Sequence, residues 1–245
     1  MNLLEHCITP DWPAPKNVRA LQTTRNGGFS TAPYDSLNLG DHVGDAPLAV
    51  AYNRQLLSAL LPSEPVWLKQ VHGTEVVDAG NTTCWPAGDA CISTRSGAVC
   101  VVMTADCLPI LLCDEQGSVV GAAHAGWRGL CDGVIEQTMR AMNSPSSSLM
   151  AWMGPAIGPQ AFEVGAEVRA AFVAQQAEAA DAFLPGEEGK WYADIYQLAR
   201  QRLHTLGITR IYGGGLCTHA DPRRFFSYRR DGTTGRMGTF IWIEN

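Results

Sequence analysis

The sequence predicts a mixed α/β (α+β) fold in a single domain, residues 1–245, with β-sheets that carry helices on their outer faces. Three observations predict it. Apolar runs of strand length and stretches of helical spacing are interspersed along the chain. Turn signals built from Gly, Asp, Ser and Pro separate them. No strong boundary and no fixed-period repeat divides the 245 residues, a length that can bury a substantial core unaided. The best linker candidate, 143–148 (NSPSSS), is short enough to be a loop between elements.

The elements follow in order. Residues 99–104 and 109–113 are rich in Val, Ile and Leu and read as buried strands. Residues 114–117 (DEQG) are a turn signal leading into a further strand, 118–124, so that 109–113 and 118–124 form a hairpin. A glycine-rich bend, 125–129 (AGWRG), comes next. Leu130, Val134, Ile135 and Met139 share one face at helical spacing and predict a helix over 130–142. Residues 149–153 read as a strand and 162–176 as a second helix. A third helix covers 194–206, with Asp194 as its N-cap and Gly207 as its C′ stop. Residues 208–212 and 237–243 read as late strands. This order suggests mixed sheets with helices outside.

Composition narrows the function classes. Apolar residues make up 46% and charged residues 17%, which argues against a disordered chain or a long solvated helix. The net charge of −6 lacks the basic balance of a nucleic-acid binder. No export signal or membrane-length apolar run is visible, so a cytoplasmic protein that engages neither membrane nor nucleic acid is expected. In that compartment most of the eight cysteines should be free thiols, and a special one is catalytic or metal-binding.

Three positions carry the chemistry. His72 lies in WLKQVHGTE (67–75), Cys107 in TADCLP (104–109) and His124 in AAHAGWRG (122–129). Each is expected at a strand end. If the hairpin turns at Gln116, residue 107 stands opposite 125, which makes Cys107 and His124 neighbours across the ladder. Nothing in the spacing places His72 beside them. Two imidazoles and a thiolate suit Zn²⁺ and leave a fourth position open, as in catalytic sites. On residue type alone, Cys107 equally reads as a packed thiol and the histidines as loop residues. Arg25, Arg128 and Arg229 are candidates to grip a phosphate, Arg128 at the start of a helix. Asn38 would donate to substrate or cap a turn. Asp89 and Asp106 are candidates to orient a ligand histidine. Glu163 and Glu167 read as surface charges, the tryptophans as core, and Cys7, Cys84, Cys91, Cys100, Cys113, Cys131 and Cys217 as packed thiols.

Six blocks together carry a family resemblance: YDSLNLG (34–40), WLKQVH (67–72), TADCLPILL (104–112), AAHAGWRG (122–129), GPAIGP (154–159) and FSYR (226–229). They resemble the signature blocks of the YfiH family, also called the laccase-domain or polyphenol oxidase family and peptidoglycan editing factor. The likeness runs from Thr24 to Arg229 with no departure at His72, Cys107 and His124. It implies a layered α/β sandwich and a metal held by those three residues, which would also be catalytic. It implies a zinc-dependent transferase, a purine nucleoside phosphorylase taking adenosine, inosine and S-methyl-5′-thioadenosine with phosphate, and adenosine deamination as a second activity. Arg25 and Arg229 lie inside family-like blocks. Two alternatives follow from the other family names. One is a copper-dependent polyphenol oxidase, an oxidoreductase, disfavoured because the chain has only six histidines and no His-x-His pair. The other is a cysteine or metal hydrolase that edits peptidoglycan precursors through Cys107 and His124. A non-enzymatic binding module fits the constellation least.

Overall fold

The computed structural model describes residues 3–82 and 85–244; Cys84 lies outside them. Thirteen strands are present among the described residues: β1 (Cys7–Ile8), β2 (Val18–Thr23), β3 (Val76–Asp78), β4 (Ala90–Ser93), β5 (Cys100–Thr104), β6 (Leu108–Asp114), β7 (Val120–Ala125), β8 (Leu149–Met153), β9 (Glu163–Val164), β10 (Phe183–Pro185), β11 (Trp191–Ala193), β12 (Arg210–Gly213) and β13 (Met237–Ile243). Six α-helices accompany them: α1 (Pro47–Ser58), α2 (Trp127–Asp132), α3 (Val134–Met142), α4 (Ala166–Gln175), α5 (Ile195–Thr205) and α6 (Tyr228–Asp231).

The strands form an antiparallel sheet in the order β1-β2-β13-β5, a mixed sheet in the order β12-β8-β6-β7-β4-β3, and a small antiparallel sheet in the order β10-β11-β9. The two larger sheets pack face to face. Strands β5, β6, β7 and β13 are buried at every position, so they read as continuous apolar runs rather than alternating ones. Their side chains still sort by the two-residue period. Cys100 and Val102 of β5, Leu111 and Cys113 of β6 and Ile241 and Ile243 of β13 meet between the sheets. Val101, Met103, Phe240 and Trp242 face the other way, against Leu57 of α1 and Leu37 and Leu39. Ile110, Leu112 and Ala123 face the opposite outer layer, where Leu130, Ile135, Phe172 and Leu198 of α2, α3, α4 and α5 cover them. The sandwich of sheets between helices is the architecture the sequence predicts.

Four local expectations need correction. The helix over 130–142 is two helices, because Gly133 sits at φ 100° and turns the chain between α2 and α3. The helix over 162–176 starts late, because Glu163 and Val164 pair with Tyr192 and Trp191 as β9 before α4 begins. The hairpin register is one residue off: Leu108, not Cys107, stands opposite Ala125. His72 is not at a strand end but in an irregular loop at φ 61°. The third helix holds as expected: the Asp194 carboxylate accepts from the Gln197 N–H at 3.0 Å, and Gly207 follows the cap at φ 83°. Strand β2 and helix α1 lie where no element is expected.

All seven cysteines among the described residues are free. No helix among the described residues is long and apolar enough to cross a membrane.

Candidate metal centre

Cys107 and His124 reach the site through the hairpin. His124 lies on β7, directly opposite Pro109 of β6, and Cys107 immediately precedes β6. The turn before Cys107 is held by Asp106, a non-glycine residue at φ 98°. Its carboxylate accepts from the Thr218 hydroxyl at 2.6 Å and the Arg229 N–H at 2.7 Å, and its carbonyl accepts from the Ile157 N–H at 2.9 Å. Such a backbone conformation persists only where its surroundings over-determine it, and three bonds do so here.

His72 arrives by a different route. The Asp89 carboxylate is fully buried. It accepts from three successive backbone N–H groups, Val71 at 3.1 Å, His72 at 2.9 Å and Gly73 at 2.7 Å, an anion-holding concavity shaped by the left-handed residue His72. The same carboxylate lies 2.8 Å from Nδ1 of His124. One side chain therefore fixes both histidines: it shapes the loop of the first and orients the ring of the second, leaving Nε2 of His124 available. The Gln70 side chain adds a second tie, giving to the Met103 carbonyl at 2.8 Å and accepting from its N–H at 2.7 Å, as a strand neighbour would.

The three side chains converge. Their ligand atoms all lie within 4.8 Å of one another, with Cys107 Sγ 3.8 Å from His72 Nε2 and the imidazole rings 4.8 Å apart. Two ligands on a tetrahedral zinc stand roughly 3.5 Å apart at bond lengths of about 2.0–2.3 Å, so the donor set fits a metal with small adjustments. Electrostatics agree. Burial pushes thiols up, Cys7 to about 11 and Cys113 to about 12. Burial acts on Cys107 too, but the charge and hydrogen bond of His124 and the contact with His72 bring it down to about 6. Burial lowers His124, while the Cys107 thiolate and Asp89 raise it to about 9. Burial raises Asp89, yet the His124 contact and the loop N–H groups hold it below its ordinary value. Cys107 is thus a thiolate at neutral pH, the form that binds metals and attacks electrophiles. No side chain at 126 intervenes: a Cβ on Gly126 would stand 2.9 Å from His72 Cδ2 and 3.0 Å from Cys107 Sγ.

The triad opens into a cavity of about 430 Å³. Phe162, Trp127 and Tyr228 supply aromatic walls, and Arg229 and Arg236 supply positive charge. Of the arginines singled out from sequence, Arg229 alone lines this cavity. Arg25 is spent elsewhere: its guanidinium donates to the Asp35 carbonyl at 2.8 Å and the Pro222 carbonyl at 3.1 Å, pairs with the Asp35 carboxylate at 3.3 Å and covers the Phe226 ring. Asn38 takes the turn role. It is fully buried, giving to Gly40 O and Asp45 Oδ2 and accepting from the N–H groups of Gly40 and Arg236. Arg128 is exposed and lies 4.5 Å over the Trp127 ring, off the cavity wall. Arg236 and Phe162 are among the cavity residues that sequence reasoning missed, as is Trp127, read there as core; Arg236 precedes the predicted strand 237–243, and nothing in its local pattern marks it.

The comparisons agree with the blocks. The family model described as multi-copper polyphenol oxidoreductase laccase matches residues 19–244. An Escherichia coli protein named purine nucleoside phosphorylase YfiH is 55% identical over 239 residues, covering 96% of this chain and 98% of that one. A Pseudomonas aeruginosa protein also named purine nucleoside phosphorylase is 54% identical over 239 residues, covering 97% and 98%. A crystal structure of a Neisseria meningitidis protein of the DUF152 family superposes with a TM-score of 0.95 at 49% identity, over 98% of this chain and all of that one. With these matches spanning nearly its whole length, the chain belongs to the laccase-like YfiH family.

Proposed function

We propose that the protein is a zinc-dependent purine nucleoside phosphorylase of the cytoplasm, acting on adenosine, inosine and S-methyl-5′-thioadenosine, with adenosine deamination as a second activity. The observation that carries the proposal is the His72–Cys107–His124 donor set at the wall of an aromatic, arginine-bearing cavity. The names of the E. coli and P. aeruginosa relatives point the same way.

In phosphorolysis an oxygen of phosphate bonds to ribose C1′ as the C1′–N9 bond breaks. The bonding pair passes to the purine, which leaves once it takes up a proton. Phe162 and Trp127 offer apolar faces for the base. Arginine holds the phosphate, and the enclosing walls keep water from competing for C1′. A zinc ion on the triad would supply Lewis-acid polarisation of a substrate or water oxygen. Asp89 keeps the ligand rings in place, and the thiolate of Cys107 is ready to bind without prior deprotonation.

A second reading is favoured by the Cys107–His124 pair itself: a thiolate beside an imidazolium is an activated nucleophile. An oxidase of phenols is less well supported. Dioxygen reduction to water takes four electrons and several coppers, and among the described residues one three-donor group is present. The deciding experiment incubates metal-defined protein with inosine, with and without phosphate. Phosphate-dependent hypoxanthine release by protein holding about one zinc supports the proposal. Release that ignores both phosphate and chelator overturns it in favour of the cysteine hydrolase.

A further inference from the structure

We infer that Arg236, with Arg229 beside it on the cavity wall, is the seat of the oxyanion that reacts with the nucleoside. This rests on the phosphorylase reading for the identity of the anion, but the seat itself is argued from geometry. Seven of the fifteen arginines have carboxylate partners among the described residues, among them Arg19 with Glu244, Arg54 with Asp41, Arg202 with Glu136 and Arg224 with Asp221. Arg236 and Arg229 have no such ion pair among the described residues, although both line the cavity that holds the triad.

The two arginines are nevertheless fixed. Nη1 of Arg229 donates to the Ala161 and Glu163 carbonyls at 3.1 and 2.9 Å. Nη1 of Arg236 donates to the Thr234 and Gly235 carbonyls, both at 3.0 Å, and its backbone N–H is held by the buried Asn38 side chain at 2.9 Å. In both, one edge of the guanidinium is anchored to carbonyls, while Nε and Nη2 have no acceptor among the described residues. That is the geometry of a preorganised fork for a tetrahedral oxyanion. Arg236 is half-buried, and burial draws its basicity down while the charges of Cys107 and Asp106 raise it, so its field is shared with the triad.

The test titrates inorganic phosphate calorimetrically into the metal-loaded protein and into Arg236→Gln, Arg236→Lys and the remote Arg140→Gln, and measures KM for phosphate and for inosine separately. Loss of a charged fork should weaken phosphate binding and raise its KM by about tenfold or more in Arg236→Gln. The KM for inosine and the zinc content should be unchanged. Arg236→Lys should retain part of the affinity, since charge survives without the fork. Arg140→Gln should match the parent. Unchanged phosphate binding in Arg236→Gln overturns the inference, as does an equal loss for phosphate and inosine. If inosine 5′-monophosphate binds more tightly than inosine, and that advantage vanishes in Arg236→Gln, the seat belongs to a nucleotide and the co-substrate role is overturned. The two readings separate cleanly. Phosphate binding that depends on Arg236, in a protein that never releases hypoxanthine, sinks the phosphorylase and leaves the seat standing. Phosphorolysis with unaltered phosphate KM in the variant does the reverse.

Discussion

The β6–β7 hairpin and the loop around His72 deliver ligands to the same point by opposite means. The hairpin does it with register: once Pro109 stands opposite His124, the ladder carries Cys107 to within a residue of its partner, and the turn at Asp106 completes the placement. The loop has no ladder of its own. It is shaped by Asp89, a buried carboxylate that catches three of its N–H groups and touches His124 as well. Regular structure positions a side chain through many weak, redundant bonds. Irregular structure does it through a few specific side chains, here Asp89 above all with Gln70 as a second tie, and is correspondingly brittle.

Asp89→Ala should break that comparison most severely. Three backbone N–H donors and the buried His124 lose their acceptor, so about 3–5 kcal/mol of stability should go, and metal affinity should fall by about 10–100-fold or more. Urea unfolding and zinc competition measure the two; a variant with normal zinc affinity would show the loop to be self-supporting. Cys107→Ser should abolish zinc retention and nucleoside phosphorolysis together with little change in folding, because a hydroxyl ionises far less readily than a thiol. Zinc bound as before, with full activity, would remove Cys107 from the centre.

Acidity comes next in size. Zinc must displace the proton that His124 holds up to a pH of about 9. Below about 6 it must also displace the proton that Cys107 takes up. Affinity should therefore fall by about tenfold per pH unit from 8 to 6 and by about a hundredfold per unit below that. Chelator competition at pH 5 and 8 reads it, and a flat profile contradicts a His/Cys site. The smallest effect is expected at Arg25. Its side chain is 15% exposed and fully engaged, so Arg25→Ala should lower stability by about 1–2 kcal/mol and leave the phosphate KM untouched. A raised phosphate KM at normal stability would return Arg25 to the site.

The contrast also explains what could be read from the chain. Strands β5, β6, β8 and β13 are buried runs rich in Val, Ile, Leu, Met and aromatic residues, and their apolarity announces them before any fold is known; β7 (VGAAHA) is found as the partner that the DEQG turn calls for. Helix α5 shows itself through Asp194 and Gly207. Cys107 and His124 follow, because a turn and two strands fix their distance. His72 does not, since its place depends on Asp89, a contact across 17 positions that no local period encodes. Arg236 is hidden for the same reason, its backbone held by Asn38 from 198 positions away. Helix α1 is not read from the sequence, since no side chain caps its start and its local pattern carries no stop; Pro47 at its first position is its only local mark. The family blocks supply what periodicity lacks at His72, and Asn38, which lies in one of them, caps its turn and holds the backbone N–H of Arg236.

Gly126 turns the centre into a test that can be run on sequences alone. A single methyl group there would press on His72 and Cys107 at 2.9 and 3.0 Å, so any side chain at that position pushes two of the three donors out of their present places. A related chain that keeps both histidines and the cysteine but carries a larger residue after the His-Ala dipeptide should be metal-free. Among family members whose activity has drifted, that one position would separate chains that kept the chemistry from chains that kept only its outline.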